Sequence, residues 1–331
     1  MSSITASFTG TQKQLLEELT SDFTHRFRTI SRGYVLFHLL FGCGLFFELL
    51  TFTLFFTQLM QTAAVAFFLA AIFLTLFTYL VLLFYLQTRK EEKFRSLRDG
   101  FLTACKTHIE ERAQLAEAAQ FFAEKLFITS LRIPFLATAS EPLQKFQIWT
   151  QWQDLLKMKE LLILAAAKEL IELIKMEPSS VEAHATLAAH YLSLAGLYKD
   201  PQVLVPEMKI QWVPPDYDSE KMQLKFKKAL ERALEEYEII DGYAPYDPWI
   251  YVRRAAIYHQ LGQMEKEIAE YENILRVAPE NSAVLFRLGC LYFKQGKTAL
   301  GLKIYDRLKT EQRVGEAEEL IGHYDAYAQE I

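Results

Sequence analysis

Between Tyr34 and Leu86 the chain runs through Phe, Leu, Ala and Val, with only His38 and Glu48 as charge-bearing interruptions. A bilayer core about 30 Å thick takes roughly 20 apolar residues per helix, so a run this long holds two membrane spans and is too long for one. The polar but uncharged stretch Gln58 to Thr62 divides it, which predicts a first span over 34–58, a tight hairpin, and a second span over 62–86. About thirty largely polar residues precede the first span, whereas a signal peptide places a short apolar core close to its start. A water-soluble reading would need long core helices that are apolar all round, which are uncommon.

The flanks set an orientation. Arg26, Arg28 and Arg32 precede the first span, Arg89, Lys90, Lys93, Arg95 and Arg98 follow the second, and the connecting turn carries no charge. Basic residues stay on the cytoplasmic side, so both termini are expected there. The expected location is an integral one, in a bacterial inner membrane or alternatively in a host membrane. The residues over 1–33 form a cytoplasmic segment in which Leu15, Leu16, Leu19 and Phe23 keep a helical spacing. That spacing suits an amphipathic helix on the membrane surface, and a disordered tail is the alternative.

Glu48 falls near the middle of the first span, where an ionisable side chain needs a partner or a proton. The choices are a neutral carboxyl, a hydrogen bond to Thr75 or Thr78 of the second span, or Glu48 of another copy. Gly42 and Gly44, with Cys43 between them, would let another backbone approach and permit a homo-oligomer through the hairpin. An oligomeric transport component centred on Glu48 is a remote reading, because the two spans hold few other polar groups.

Past the membrane the sequence becomes charged but keeps its helical period. Phe94, Leu97, Phe101, Cys105, Ile109, Leu115, Phe122 and Leu126 recur at helical intervals and predict a juxtamembrane stalk within 88–148, bending at Gly100. His108 and Glu111 break the heptads, so a packed helix is expected rather than an extended coiled coil. Pro134 to Gln144 reads as a linker, and a helix from Trp149 to Met176 ends at Glu177-Pro178.

The C-terminal third repeats itself at 34 residues when 248–281 is laid over 282–315. Tyr251 meets Leu285, Ala255 meets Gly289, Tyr258 meets Tyr292 and Gly262 meets Gly296. Ile268 meets Leu302, Tyr271 meets Tyr305 and Ile274 meets Leu308. Each unit reads as helix, glycine turn, helix. Small residues at 255 and 289 permit close helix crossing, the tyrosines fill the hairpin, and the glycines allow the turn.

This pattern resembles the tetratricopeptide repeat (TPR) family, in which small and aromatic residues occupy the same places of a 34-residue motif. Pro279 closes the first unit as that family's pattern does. Departures stand at Arg254, where Leu is expected, at Glu267 and Gly301, where a small Ala is expected, and at Arg313, where the second closing Pro is expected. An earlier unit over about 179–245 matches through Leu187, Ala188 and Tyr191 in its first helix and Ala233 and Tyr237 in its second. A Pro-rich insertion over 198–219, which includes Trp212, widens its turn. The stretch 316–331 reads as a cap, and 149–331 as the whole repeat domain, with the helix before Pro178 standing for a degenerate first unit.

The expected fold is therefore all-α: a two-helix transmembrane hairpin, a juxtamembrane helical stalk and a TPR-like α-solenoid. The resemblance implies a concave groove that binds a peptide or protein rather than a catalytic site. Carried over position by position, that groove comprises Ala185, Ala189 and Leu192, then Trp249, Val252, Ala256 and His259, then Phe286, Cys290 and Phe293, with Arg253 and Arg287 beside it. These are mostly apolar and lack the Lys and Asn set that grips a carboxylate terminus, so an amphipathic segment is the expected occupant.

No enzyme is expected. His184 and His190 stand on different faces of a helix, the three cysteines are isolated, and no phosphate loop or nucleophile elbow occurs. No cofactor, metal or nucleic-acid partner is expected, because the basic residues cluster at the membrane flank, where lipid headgroups account for them. The leading function is a membrane-anchored protein-interaction scaffold. A secreted effector is the alternative, since a Ser/Thr-rich start before two close spans resembles the bilobed hydrophobic domain of inclusion-membrane proteins.

Overall fold

A computed structural model describes residues 8–56, 62–127, 131, 141–200, 204 and 215–329, and among these there is no strand. The hairpin turn at 57–61, most of the proposed linker and most of the Pro-rich insertion, including Trp212, lie outside the described residues. The helices are α1 (Gly10–Phe56), α2 (Thr62–Lys106), α3 (Arg112–Lys125), α4 (Glu141–Met176), α5 (Val181–Lys199), α6 (Glu220–Tyr243), α7 (Pro248–Gln260), α8 (Met264–Val277), α9 (Ser282–Lys294), α10 (Thr298–Thr310) and α11 (Val314–Gln329). They fall into two compact units, one made of residues to Leu173 together with 196–222, the other of 174–195 together with the chain from Gln223 onward.

In the first unit, α1 starts at a reciprocal cap. The Thr9 backbone N–H donates to Gln12 Oε1 at 3.0 Å and Gln12 N–H donates to Thr9 Oγ1 at 3.4 Å, which satisfies two donors that a helix start leaves orphaned. From there the helix runs unbroken through the first apolar stretch to Phe56. From Gly10 onward the expected amphipathic stretch is therefore continuous with the first apolar stretch, and Leu16, Phe23 and Phe27 on it are buried against protein. Phe23 stands edge-on to Phe101 with ring centroids 5.5 Å apart, Phe27 tilts against Phe94 at 5.3 Å, and Phe101 meets Phe122 of α3 at 4.6 Å. The stalk period of the sequence is this seam. α2 carries it past Gly100 to Lys106, and the break falls at 107–111, where the heptads fail.

α4 begins at Glu141, ahead of the expected Trp149, so the last residues of the supposed linker are its first turn. Proline is tolerated there because the N–H it lacks has no intrahelical partner anyway. Up to Leu173 this helix belongs with the hairpin rather than with the repeats. Asp154 ties it in: this buried carboxylate pairs with Lys90 of α2 and accepts from Ser31 Oγ of α1 at 3.2 Å. Burial pushes the Asp154 carboxyl above its ordinary range, while Lys90 and Ser31 pull it back. Lower on the helix, Glu169 accepts from Lys106 and Arg112, each at 2.8 Å.

The second unit is built of helical hairpins. α7 and α9 start 34 residues apart with side-chain caps, Asp247 accepting from Trp249 N–H at 2.9 Å and Asn281 from Val284 N–H at 3.2 Å. Both end in the same turn. Gly262 and Gly296 take φ of +69° and +73°, a conformation that costs glycine nothing, and the residue after each donates back to Tyr258 and Tyr292 at 2.9 Å. Ala255, Tyr258, Ile268 and Ile274 are buried in one hairpin, and Leu285, Gly289, Tyr292 and Leu308 in the next. Ala188 is buried and Tyr191 half-buried in α5, while Tyr271 and Tyr305 are half-buried in the second helices. The packing is that of TPR-like helical repeats.

One pairing departs from the repeat. Ile268 is buried beside Leu288 and Leu291, whereas Leu302 is exposed. Shifted by 34 residues, Leu288 and Leu291 become Gly322 and Asp325, so α11 offers Leu302 nothing to pack on. α11 instead presses Ala317 and Leu320 into the core of the last hairpin and turns Glu318, Glu319 and Asp325 to solvent, as a cap does.

Candidate functional site

The groove assigned from sequence divides in two. On α7, Trp249, Val252, Arg253, Ala256 and His259 are all exposed. The Trp249 ring stands edge-on to Tyr237 of α6 with centroids 5.6 Å apart, and the Arg253 guanidinium lies over the indole, 5.5 Å from its ring centroid. On α5, Ala189 is exposed and Ala185 and Leu192 are half-buried.

On α9 the expectation is corrected. Phe293 is only 5 % exposed: its ring lies against Tyr324 of α11 at 4.7 Å, inside the core formed with Leu308 and Leu320. Phe286 and Cys290 pack on the same cluster, and Phe286 stands edge-on to His323. Burial pushes the Cys290 thiol up, away from the reactive thiolate. α11 follows and covers these positions.

The departures from the family pattern answer one another. Residues 259 and 267 of one hairpin correspond to 293 and 301 of the next. In the first pair His259 Nδ1 lies 3.0 Å from Glu267 Oε2, and Arg287 donates to Glu267 Oε1 at 3.4 Å, so the buried carboxylate that replaces alanine is shared by two neighbouring helices. In the second pair the Phe293 ring fills the place of a missing side chain, since a Cβ on Gly301 would stand 2.4 Å from Phe293 Cε1. Gly289 is similarly close to its neighbour, with Leu320 at 2.8 Å from where its Cβ would be.

Arg254 does for α6, α7 and α8 what leucine would do by packing. It donates to Asp241 at 3.0 Å and pairs with Glu270 at 2.6 Å, with the Glu270 side chain 4 % exposed. Burial raises the Glu270 carboxyl above its ordinary range, and Arg254 opposes that rise. Arg313, which stands where the second closing proline was expected, donates to Ser282 and Glu316 and so ties α11 to the start of α9. Arg307, near the end of α10, closes the same end of that hairpin by donating to the Pro279 carbonyl.

In the hairpin, Thr75 Oγ1 donates to Glu48 Oε1 at 2.7 Å, one of the partners the sequence offered. His38 and Tyr79 meet at 2.9 Å nearer the basic end. Elsewhere His184 is held by Glu236 at 2.6 Å and by the Pro178 carbonyl at 3.0 Å, while His190 contacts the Thr186 carbonyl at 2.7 Å. Among the described residues no group of three or more His, Cys, Asp and Glu could hold a metal ion.

No family model matches the sequence, and no curated protein matches it. Among solved structures the crystal structure of MamA matches with 15 % identity over 52 % of this chain and 95 % of its own. Its TM-score of 0.24 is too low for any argument about fold, which rests on the packing of this chain alone.

Proposed function

We propose that the protein is a membrane-anchored interaction scaffold, in which α1 and α2 cross the bilayer and the TPR-like hairpins hold an amphipathic segment of a partner against the α7 face. The carrying observation is what the apolar stretch does in the folded chain. In the most apolar windows of α1 and α2 only 6 % and 0 % of residues are buried, and Phe46, Phe67 and Phe84 are about two-thirds or more exposed. Apolar surface on that scale is not left open to water by a soluble fold. Lipid is the solvent that suits it.

Two further features support the placement. Folded protein gathers at the basic end of the hairpin, where Phe146 of α4 packs on Val35 and Leu39 of α1. Trp149, one turn on and 52 % exposed, sits beside Phe146 at the level where a bilayer meets water, the depth that indole rings favour. Both termini then face the cytoplasm. At the first span's free face, a Cβ on Gly42 or Gly44 would meet nothing within 4 Å, which leaves room for a second hairpin.

For the partner, Trp249, Val252 and Ala256 present an apolar strip with Arg253 along its edge. An amphipathic helix or extended segment with an acidic residue opposite Arg253 fits that strip. Membership of the TPR family in the full sense belongs to this proposal. A photoreactive residue at Val252, in membranes of the native host, should capture a discrete protein that the same probe at Glu318 does not, and Arg253→Glu should abolish the capture. Equal labelling from both positions, or from neither, would make the strip ordinary surface.

A further inference from the structure

His184 stands in the first turn of α5 and is 4 % exposed. Its Nδ1 lies 2.6 Å from Glu236 Oε2 of α6, and its Nε2 lies 3.0 Å from the carbonyl oxygen of Pro178, in the turn between α4 and α5. All three residues belong to the second unit. One imidazole therefore ties the turn by which the chain enters the repeats to the second helix of the first hairpin.

Both ring nitrogens face oxygen. A peptide carbonyl only accepts, an ionised carboxylate only accepts, and a neutral imidazole carries a single N–H. Making both bonds takes one proton more than a neutral His184 and an ionised Glu236 hold between them. That proton sits either on Nδ1, giving an imidazolium against a carboxylate, or on Glu236, which then donates to Nδ1. Once it leaves, Nδ1 turns a lone pair toward a carboxylate, and only one of the two bonds survives. A cation in the first turn of a helix opposes the helix dipole, and the Glu236 side chain, 14 % exposed, supplies the compensating charge.

The other charged and titratable groups on these elements are Lys175 and Glu177 at the end of α4, Glu182, His190 and Tyr191 on α5, and Arg232 and Glu235 on α6. Arg232 donates to Glu235 at 2.7 Å on the exposed side of α6. Burial, and then the Glu236 charge, hold the Tyr191 hydroxyl above its ordinary range. His190, six residues on, contacts the Thr186 carbonyl at 2.7 Å.

We propose that His184 and Glu236 form a proton-dependent clasp. With the shared proton in place the α4–α5 turn is held to α6, and its loss as pH rises releases the entry of the first repeat hairpin while the later hairpins stay closed. The clasp depends neither on the membrane nor on a partner.

Amide hydrogen exchange of the full chain in an uncharged detergent tests it, with protection corrected for the intrinsic pH dependence of exchange. The amides of Ser180, Ala183 and His184 are hydrogen-bonded at this turn and report on it. A hydrogen bond to a charged group is worth about tenfold or more in local opening, so protection there should fall at least about tenfold between about pH 6 and about pH 9, which bracket the ordinary histidine value. Peptides from α10, which holds no histidine, should keep their protection. Glu236→Gln puts an amide where the carboxylate was, able to accept from a charged imidazole and to donate to a neutral one, so the variant should hold the turn at both pH values and flatten the profile. A flat profile in the parent, an arm that needs no variant, would overturn the clasp. A fall in Glu236→Gln as steep as the parent's, with α10 still protected, would overturn it as well by assigning the titration to another group.

Discussion

Replacing Arg254 by leucine, the residue expected at that place in a TPR-like first helix, removes the cation from a buried cluster and leaves its carboxylates behind. Asp241 is 28 % exposed and can turn to water, but Glu270 at 4 % cannot. Breaking a buried pair from one side costs about 3–5 kcal/mol, and with one of the two acids able to resolvate we expect the lower end, about 3 kcal/mol. At about 1.4 kcal/mol per decade this is roughly a hundredfold in the population of opened α7–α8 hairpin. Amide hydrogen exchange of α7 and α8 in the full chain reads that number directly. The double variant Arg254→Leu/Glu270→Leu removes the stranded charge and should return protection to within about 1 kcal/mol of the parent, because an apolar pair of similar volume is commonly neutral or stabilising. The sign with pH is fixed as well. Burial holds Glu270 above its ordinary value of 4.5, and an acid raised in the folded state contributes stability that is present below the unfolded value and lost as pH rises through the folded one. Without Arg254 that value rises further, so the deficit of the single variant should be largest at neutral pH and shrink on acidification. Unchanged protection in Arg254→Leu, or a double variant as exposed as the single, would refute the account of this cluster.

Gly301→Ala should lose about 1–2 kcal/mol, the overpacking against Phe293 outweighing the gain in helix propensity, and Phe293→Leu should restore it in a double-mutant cycle read by exchange at α9 and α10. In the hairpin, Thr75→Val should cost about 0.5–1.5 kcal/mol in a detergent unfolding titration while Glu48→Gln costs little, since an amide still accepts from Thr75; equal losses would mean that the charge rather than the hydrogen bond matters. Burial lowers the Lys159 ammonium to about 8, so its neutral form stabilises the first unit above the unfolded value of 10.5 and that contribution is lost as pH falls through about 8. Thermal stability of that unit should rise between pH 8 and 10, and Lys159→Met should flatten the rise.

Those elements that repeat or run long were legible in the sequence for a physical reason: the apolar stretch and the 34-residue period are set by many residues at once, so single departures do not hide them. The glycine turns at 262 and 296 were legible because φ near +70° leaves few other choices. Of the positions assigned to a groove, those on α7 and Ala189 of α5 are exposed, and those on α9 are not. Phe286, Cys290 and Phe293 were placed there by analogy with an array that continues, whereas Gly322 and Asp325 show, once aligned, that α11 does not repeat the first-helix pattern. Arg254 and Glu267 read as blemishes on the motif. Asking which opposite charge lies within one helix of each would have found Glu270 and Arg287. The span of α4 was misjudged at its start because Pro142 reads as a break, although a proline in the first turn of a helix costs nothing.

The central claim is that one chain crosses the bilayer twice and keeps its helical repeats on the same side as its N-terminus. In a background of Cys43→Ser, Cys105→Ala and Cys290→Ala, single cysteines at Glu17, Gln61 and Glu318 can be challenged with a membrane-impermeant maleimide on intact cells. The account predicts labelling at Gln61→Cys alone, with Glu17→Cys and Glu318→Cys reacting only after permeabilisation. Labelling of Glu318→Cys on intact cells, or loss of the chain from membranes in an alkaline wash, would contradict it.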